Sequence, residues 1–319
     1  MRNRLIRASA AFAAVLGVVL VMFLEVKSRP TAEGDGSVPF VVQKQPEEQV
    51  TPVLALPEKV EVPELPYDKV PLSFNGAEAT TGYMIDKIMF LPLSALCEYL
   101  GYPMSWTATE EKLEADISGV KLTVEKDSGY LKADGRYLFC PENWIAEGDE
   151  LFLTRDNVER LLGLETTKNA KAMAPDYDFA VSRLLTGGED YYETHYDYNE
   201  IFWYAHIIHS EARWEPMVGK IGVGNVIQNR IVSKEYPNTL IEVIFDSFPV
   251  VQFQPVMTGG IREYPDKEAY IATYLLMEGY NTVGDCMYFV NREKGSTWFD
   301  DKLQLMVQYG NHTFYTYKY

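Results

Sequence analysis

The chain has 319 residues, 47% hydrophobic, 13% aromatic and 24% charged, with a net charge of −17. This composition is that of globular material with room for two modest domains plus accessory segments, and it excludes wholesale disorder. A body so acidic repels a phosphate backbone, so nucleic acid is not an expected partner.

Residues 1–27 open with "MRNRLIR" and continue with "ASAAFAAVLGVVLVMFL", an uncharged run between Arg7 and Glu25. Residues 1–30 carry five basic residues against Glu25, a net +4, so the remainder stands at −21. Basic residues before an apolar run are the export pattern, and this run is about as long as the minimum for a spanning helix. The flanking "EVKSRPTAEG" lacks a small-x-small cleavage site, and no lipobox-like cysteine occurs. The expectation is a single-pass anchor in the cytoplasmic membrane, with the rest of the chain outside it. A cleaved signal peptide, with release to the cell wall or spore, is the alternative.

Residues 28–70 form a Pro-rich acidic linker; with Pro71, eight prolines fall in 28–71. Such a composition gives an extended, partly polyproline spacer.

Residues 71–166 read as a small α+β module with a weak internal repeat. "FNGAEATTGYMIDKIMFLPLSALCEYLG" aligns loosely with "ADGRYLFCPENWIAEGDELFLTRDNVERLLG". Each unit starts on a turn dipeptide (Asn75-Gly76, Asp134-Gly135) and ends in a short amphipathic helix stopped by Leu-Gly, at Gly101 and Gly163. Between them, "LEADISGVKLTVEK" alternates as a hairpin does. The region resembles the copper amine oxidase N-terminal-like domain, which implies a stalk or wall-binding role. Copper chemistry is not expected, because the first histidine of the chain is His195. Cys97, Cys140 and Cys286 make an odd count without CxxC spacing, so a Cys97–Cys140 bridge and buried free thiols are both open.

Residues 167–197 are polar and read as a second linker. Residues 198–319 are dense in aromatic residues and glycine and suffice for one further domain. In "YNEIFWYAHIIHSEAR", Ile201, Ala205, Ile208 and Ala212 recur on one helical face, with Asn199 as the expected N-cap. At 100° per residue Glu211 lies about 80° from the centre of that face, on the border between core and solvent. A carboxyl group there is open to a raised pKa, as a general acid requires. His206 and His209 have the spacing of two metal ligands on one helix. Glu211 is two residues from one and five from the other, about 200° and 140° round the axis, so it cannot close their site. Zinc would need a distant third ligand such as His312; otherwise both histidines are surface or core residues.

Five ordered blocks carry a second resemblance. "SEARWEP" is followed by "GKIGVGNVIQNRI", then "YPNTLIEVIFDSFPVVQFQPV", "MYFVNREKGSTWF" and "YGNHTFYTY". Together they resemble the SleB/CwlJ-type cell-wall hydrolase family, the spore-cortex-lytic enzymes associated with germination. The resemblance implies a lysozyme-like α+β fold and cleavage of peptidoglycan between N-acetylmuramic acid and N-acetylglucosamine, with Glu211 as the catalytic glutamate. No metal or cofactor is expected. Ser210, Trp214 and Gln254 depart from the alanine, glycine and serine usual there, and Trp214 adjoins the acid.

A glycosidase ordinarily pairs its acid with a second carboxylate. A lytic transglycosylase does not, because the muramic acid's own C6 hydroxyl attacks; Glu211 alone then serves as acid and base. Glu215 is expected to be a solvated or capping residue, and Asp246 and Asp285 are candidate second carboxylates without positive support. The expected substrate-binding set is Trp214 with Gln252, Asn291 and Asn311 for acetamido and hydroxyl groups, Phe253, Tyr288, Trp298 and Tyr315 for stacking, and His312 beside the acid. Phe289, Phe299 and Phe314 are expected in the core. Two rival functions remain at this point: a non-catalytic peptidoglycan-binding or assembly protein, and a zinc-dependent amidase or peptidase using His206 and His209.

Overall fold

The computed structural model describes residues 67–169, 176–248, 250–292 and 297–318. The expected anchor at 1–27 and nearly all of the 28–70 linker lie outside the described residues. Among those described, no helix is long and apolar enough to cross a membrane.

The first half is a pair of sheets. β1 (Asp68–Phe74), β2 (Ala77–Ile85) and β3 (Ile88–Pro92) lead into α1 (Leu93–Leu100). A five-strand meander follows: β4 (Met104–Ala108), β5 (Lys112–Ile117), β6 (Val120–Glu125), β7 (Gly129–Ala133) and β8 (Arg136–Cys140). β9 (Ile145–Glu147) and β10 (Glu150–Thr154) return to the first sheet, and α2 (Arg155–Leu162) closes the unit. Asn75-Gly76 and Asp134-Gly135 turn with positive φ at both positions, the geometry that matches strand twist in a tight hairpin. Alternation decides burial in β5 and β6: Leu113, Ala115, Ile117, Val120, Leu122 and Val124 face inward. β3 and β10, each running into a helix, pair antiparallel about Leu91 and Leu153. Both helices stop at left-handed glycines, Gly101 and Gly163. All three cysteines are buried and free.

Parts of the stretch read as a linker over 167–197 form regular elements. β11 (Glu165–Asn169) pairs with β12 (Asp176–Ala180), and β12 lies parallel to β1 at the edge of a seven-strand sheet of order β11-β12-β1-β2-β3-β10-β9. Tyr177 and Phe179 bury alternately and hold it there. Polar flanks hid this short alternation in the sequence.

α3 (Tyr191–His195) then delivers the buried Tyr192 to the second half. That half comprises α4 (Tyr198–Ala212), α5 (Met217–Val232), α6 (Leu240–Ile244), α7 (Gln254–Thr258), a short 3-10 turn at Gly260–Arg262, and α8 (Lys267–Met277). β13 (Tyr288–Asn291), α9 (Thr297–Lys302), β14 (Leu303–Tyr309) and β15 (His312–Tyr317) complete it, with β15 central in a three-strand antiparallel sheet. The architecture is mixed α+β. α4 is capped by Asp197, whose side chain accepts from the Asn199 N–H, so Asn199 is not the N-cap. The expected face of Ile201, Ala205, Ile208 and Ala212 is wholly buried against α5 and α8.

Glycines let α5 pack this closely. A Cβ on Gly222 would lie 2.8 Å from the Phe314 ring, and one on Gly224 2.8 Å from Leu276. The two halves are joined across α8: Arg136 makes a two-pronged ion pair with the buried Glu278 (2.5 and 2.9 Å), which also accepts from Tyr192 Oη at 3.0 Å. Tyr274 stacks on Tyr192 at 4.0 Å and on Tyr137 at 5.7 Å. Buried apolar side chains of both halves belong to one continuous cluster.

Candidate active site

The last turn of α4, the 258–263 segment and the β14–β15 turn enclose a cleft of about 320 Å³. Glu211, Trp214, Asn291, Asn311 and His312, all singled out from the sequence, line it. Residues from positions a hundred apart thus meet at one place.

Glu211 occupies the border position that helical geometry predicts, partly exposed on the cleft wall. Desolvation raises its pKa from 4.5 to about 7, with the Arg230 charge pulling the other way. Arg230 closes α5, is buried, and donates from Nε to the Met287 carbonyl (2.9 Å). Its guanidinium lies among the Tyr236, Phe253 and Tyr288 rings at 4.9–5.7 Å. Asn229 beside it donates to the Gly284 and Cys286 carbonyls. The Asn-Arg pair therefore fixes the entry to β13 and sets a positive charge behind the acid.

Glu215 is not the solvated residue expected. It is buried, and its Oε2 accepts from the Asn311 N–H at 2.8 Å. Gly310 has φ +53°, and a Cβ there would overlap the Glu215 carboxylate. Lys220, also buried, donates to the Glu215 carbonyl (2.5 Å) and pairs with Glu268 (2.8 Å). Glu215 is thus the clamp that holds the β14–β15 turn, and with it Asn311 and His312, against α5. His312 is buried between Phe289 and Phe314, and desolvation lowers its pKa while Glu215 raises it. Burial keeps this imidazole neutral.

His206 and His209 do not form a metal pair. His206 Nδ1 donates to the Ile261 carbonyl at 2.7 Å, and its ring packs on Phe202. His209 Nε2 accepts from Arg213 at 3.0 Å, the Asp266 backbone N–H donates to Nδ1 at 3.1 Å, and the Asp266 carboxylate lies 3.2 Å from the same nitrogen. Desolvation lowers the His209 pKa, and the Arg213 charge adds to it. Both histidines tie α4 to the 260–266 segment. Among the described residues, no group of three or more His, Cys, Asp or Glu converges as metal ligands do.

Five expected contact residues lie away from the cleft. Phe253 (1% exposed) and Tyr315 (4%) are core side chains; Phe253 packs on Arg230 and Phe289, and Tyr315 Oη donates to Asp300. Tyr288 donates to Tyr317 Oη at 3.2 Å beneath Arg230, and Trp298 on α9 meets Phe299 edge-on. Gln252 donates its amide to the Val250 carbonyl and does not line the cleft. An aromatic or amide alternation cannot say which ring faces a groove and which a core; here the interior takes Phe253 and Tyr315, while Gln252, Tyr288 and Trp298 are half-buried elsewhere. Asp246 and Asp285 also lie away from the cleft; Asp246 accepts from the Phe248 N–H, and Asp285 is on the surface.

Sequence reasoning attached no role to Arg213, Arg230 or Glu263. Arg213 donates to Glu263 Oε2 at 2.6 Å across the cleft rim. Both arginines stood in the quoted blocks, whereas nothing marked Glu263.

Residues 214–315 match the family model described as cell wall hydrolase. That match begins three residues after Glu211, so the position of the acid rests on the geometry above. The spore cortex-lytic enzyme of Bacillus cereus is 32% identical over 120 residues, 37% of this chain and 45% of that one. Its namesake from Bacillus subtilis is 29% identical over 147 residues, 46% of this chain and 44% of that one. The chain therefore spans under half the length of these curated relatives. Among solved structures, the catalytic domain of the germination-specific lytic transglycosylase SleB from Bacillus anthracis is 30% identical, covering 38% of this chain and 98% of that chain, with a TM-score of 0.35.

Proposed function

We propose that the 198–319 domain, similar in sequence to cell wall hydrolases, cleaves peptidoglycan between N-acetylmuramic acid and N-acetylglucosamine as a lytic transglycosylase. One observation carries the reading: the Glu211 carboxyl stands desolvated on the wall of the cleft with its pKa at about 7, so it holds a proton at neutral pH and can give it up.

Glu211 donates that proton to the glycosidic oxygen as the bond from the muramic acid C1 breaks. The N-acetylglucosamine side leaves as an alcohol. The C6 hydroxyl of the same muramic acid then bonds to C1, its proton passing to the Glu211 carboxylate. The product is a 1,6-anhydro ring, no water is consumed, and the acid is regenerated. Arg230 favours the carboxylate in the interval between the two proton transfers.

The other carboxylates of the cleft support this route over hydrolysis. Glu215 is engaged by the Asn311 N–H and Glu263 by Arg213, so each already has a partner. A hydrolase would need one of them as nucleophile or base. Asn291 and Asn311 line the cleft where acetamido and hydroxyl groups would bind.

Digestion of purified peptidoglycan, with mass spectrometry of the products, tests the reading. Anhydro-muropeptides are expected; reducing muramic ends would replace transglycosylation by hydrolysis. Undiminished release by Glu211→Gln would overturn the assignment.

We further propose that residues 1–27 anchor the chain in the cytoplasmic membrane with both domains outside. The 71–166 module, which resembles the copper amine oxidase N-terminal-like domain, serves as the stalk. The charge step between residues 1–30 and the acidic remainder supports the orientation. Protease accessibility in intact cells tests it; protection of the C-terminal domain would reject it.

A further inference from the structure

On the glycan-strand reading above, we infer that Trp214 and Tyr264 form a paired stacking platform at the cleft mouth that holds sugars beyond the scissile linkage. Among the described residues these are the two most exposed large apolar side chains, at 86% and 93%. Isolated exposed apolar residues are ordinary, but two aromatic side chains this exposed, one lining the cleft and the other next in sequence to a lining residue, are not.

Their placement is built. Trp214 lines the cleft itself, and Tyr264 follows Glu263, which lines its opposite rim. Arg213 joins the two: its guanidinium carbon lies 6.0 Å from the centre of the Trp214 ring, and it donates to Glu263 at 2.6 Å. The bracket that carries Tyr264 is pinned on both sides. Before it, His206 holds the Ile261 carbonyl; after it, Asp266 caps α8 and donates its backbone N–H to His209. The backbones are thus fixed while the rings remain uncovered, the arrangement of a preorganised contact rather than of a core residue left outside.

The occupant follows from continuity with the cleft. About 320 Å³ is at the low end of small-molecule sites, roughly 300–1,000 Å³, so a polymer must run out past its mouth. Among the described residues, the lining carries one arginine, already paired with Glu263, and no further lysine or arginine to receive a polyanion, which suits sugar faces whose apolar C–H groups lie flat on rings. Position 214 is also where the resembled motif carries glycine, so this platform would distinguish the chain from its relatives.

The test uses the full chain with Glu211→Gln, so that ligands survive. Binding of defined peptidoglycan glycans of two and of eight sugars is measured in this background, with and without Trp214→Ala and Tyr264→Ala. The expected result is that both substitutions together weaken the eight-sugar ligand about tenfold or more and leave the two-sugar ligand within about twofold. Trp214→Phe with Tyr264→Phe should restore most of the binding, which separates stacking from a folding defect. Equal affinity of all variants for the long ligand overturns the platform and leaves the catalytic proposal standing. Failure of the Glu211→Gln chain to bind either glycan overturns both. Loss of binding to both lengths alike places the rings in the catalytic subsite and refutes the outer platform.

Discussion

Replacing Glu211 by Gln should make the protein more stable, and only above acid pH. The native carboxyl keeps its proton up to about pH 7, whereas the unfolded chain loses it near 4.5. Between those values the native state binds one proton more than the unfolded state, so stability falls by about 1.4 kcal/mol per pH unit. Above pH 7 the accumulated penalty is about 3 kcal/mol and constant. Glutamine has no such proton to lose. The variant should therefore match the parent at pH 4 and exceed it by about 3 kcal/mol at pH 8, or roughly 6–12 °C in Tm for a folded body of this size. The assay is calorimetric or fluorescence-monitored melting of both proteins from pH 4 to 8. The curves should diverge upward with pH while the variant's muralytic activity is lost. Parallel curves, or a variant less stable at pH 8, would refute the desolvated-acid reasoning. The site would then owe its chemistry to something other than a buried proton.

Three further outcomes follow from the same geometry. The rate at limiting peptidoglycan should fall about tenfold per pH unit above about 7, as the acid loses its proton; a rate rising through pH 9 would contradict that role. Gly310→Ala combines a positive φ with crowding of the Glu215 carboxylate, so it should cost about 2 kcal/mol or more in thermal unfolding and reduce activity through the displaced Asn311. Glu278→Ala should destabilise by about 3–5 kcal/mol by stranding Arg136, while Arg136→Met with Glu278→Met should recover most of the loss in denaturant titration.

Legibility in the sequence followed the range of the interaction. The Asn-Gly and Asp-Gly turns, the Leu-Gly helix stops and the inward face of α4 are local, and each is where periodicity and turn chemistry place it. Even the N-cap missed by only two positions, because Asp197 and Asn199 are both good capping residues and the chain context chooses between them. Contacts between distant segments were not legible. Glu263 enters the cleft only because Arg213, fifty residues earlier, reaches it. Glu215 looked like a solvated helix-end residue until the β14–β15 turn covered it. Phe253 and Tyr315 carry the same pattern whether they face a sugar or Arg230 and Phe299; three-dimensional packing decided for the interior. Residues 167–197 look polar on average, yet Tyr177 and Phe179 fasten β12 and Tyr192 fastens α3.

α8 connects the cleft to the first half of the chain. Its first residue follows Asp266, which holds His209 at the rim of the cleft, and its last precedes Glu278, which Arg136 of β8 grips. Eleven helical residues make a rod of about 16 Å, too short and too well fastened at both ends to hinge. The cleft and the 71–166 module are therefore set against each other through this one helix, like a blade in its handle. On the proposed function, a module at rest on a wall would set the direction in which Glu211 faces, and bonds would be selected by angle as much as by chemistry.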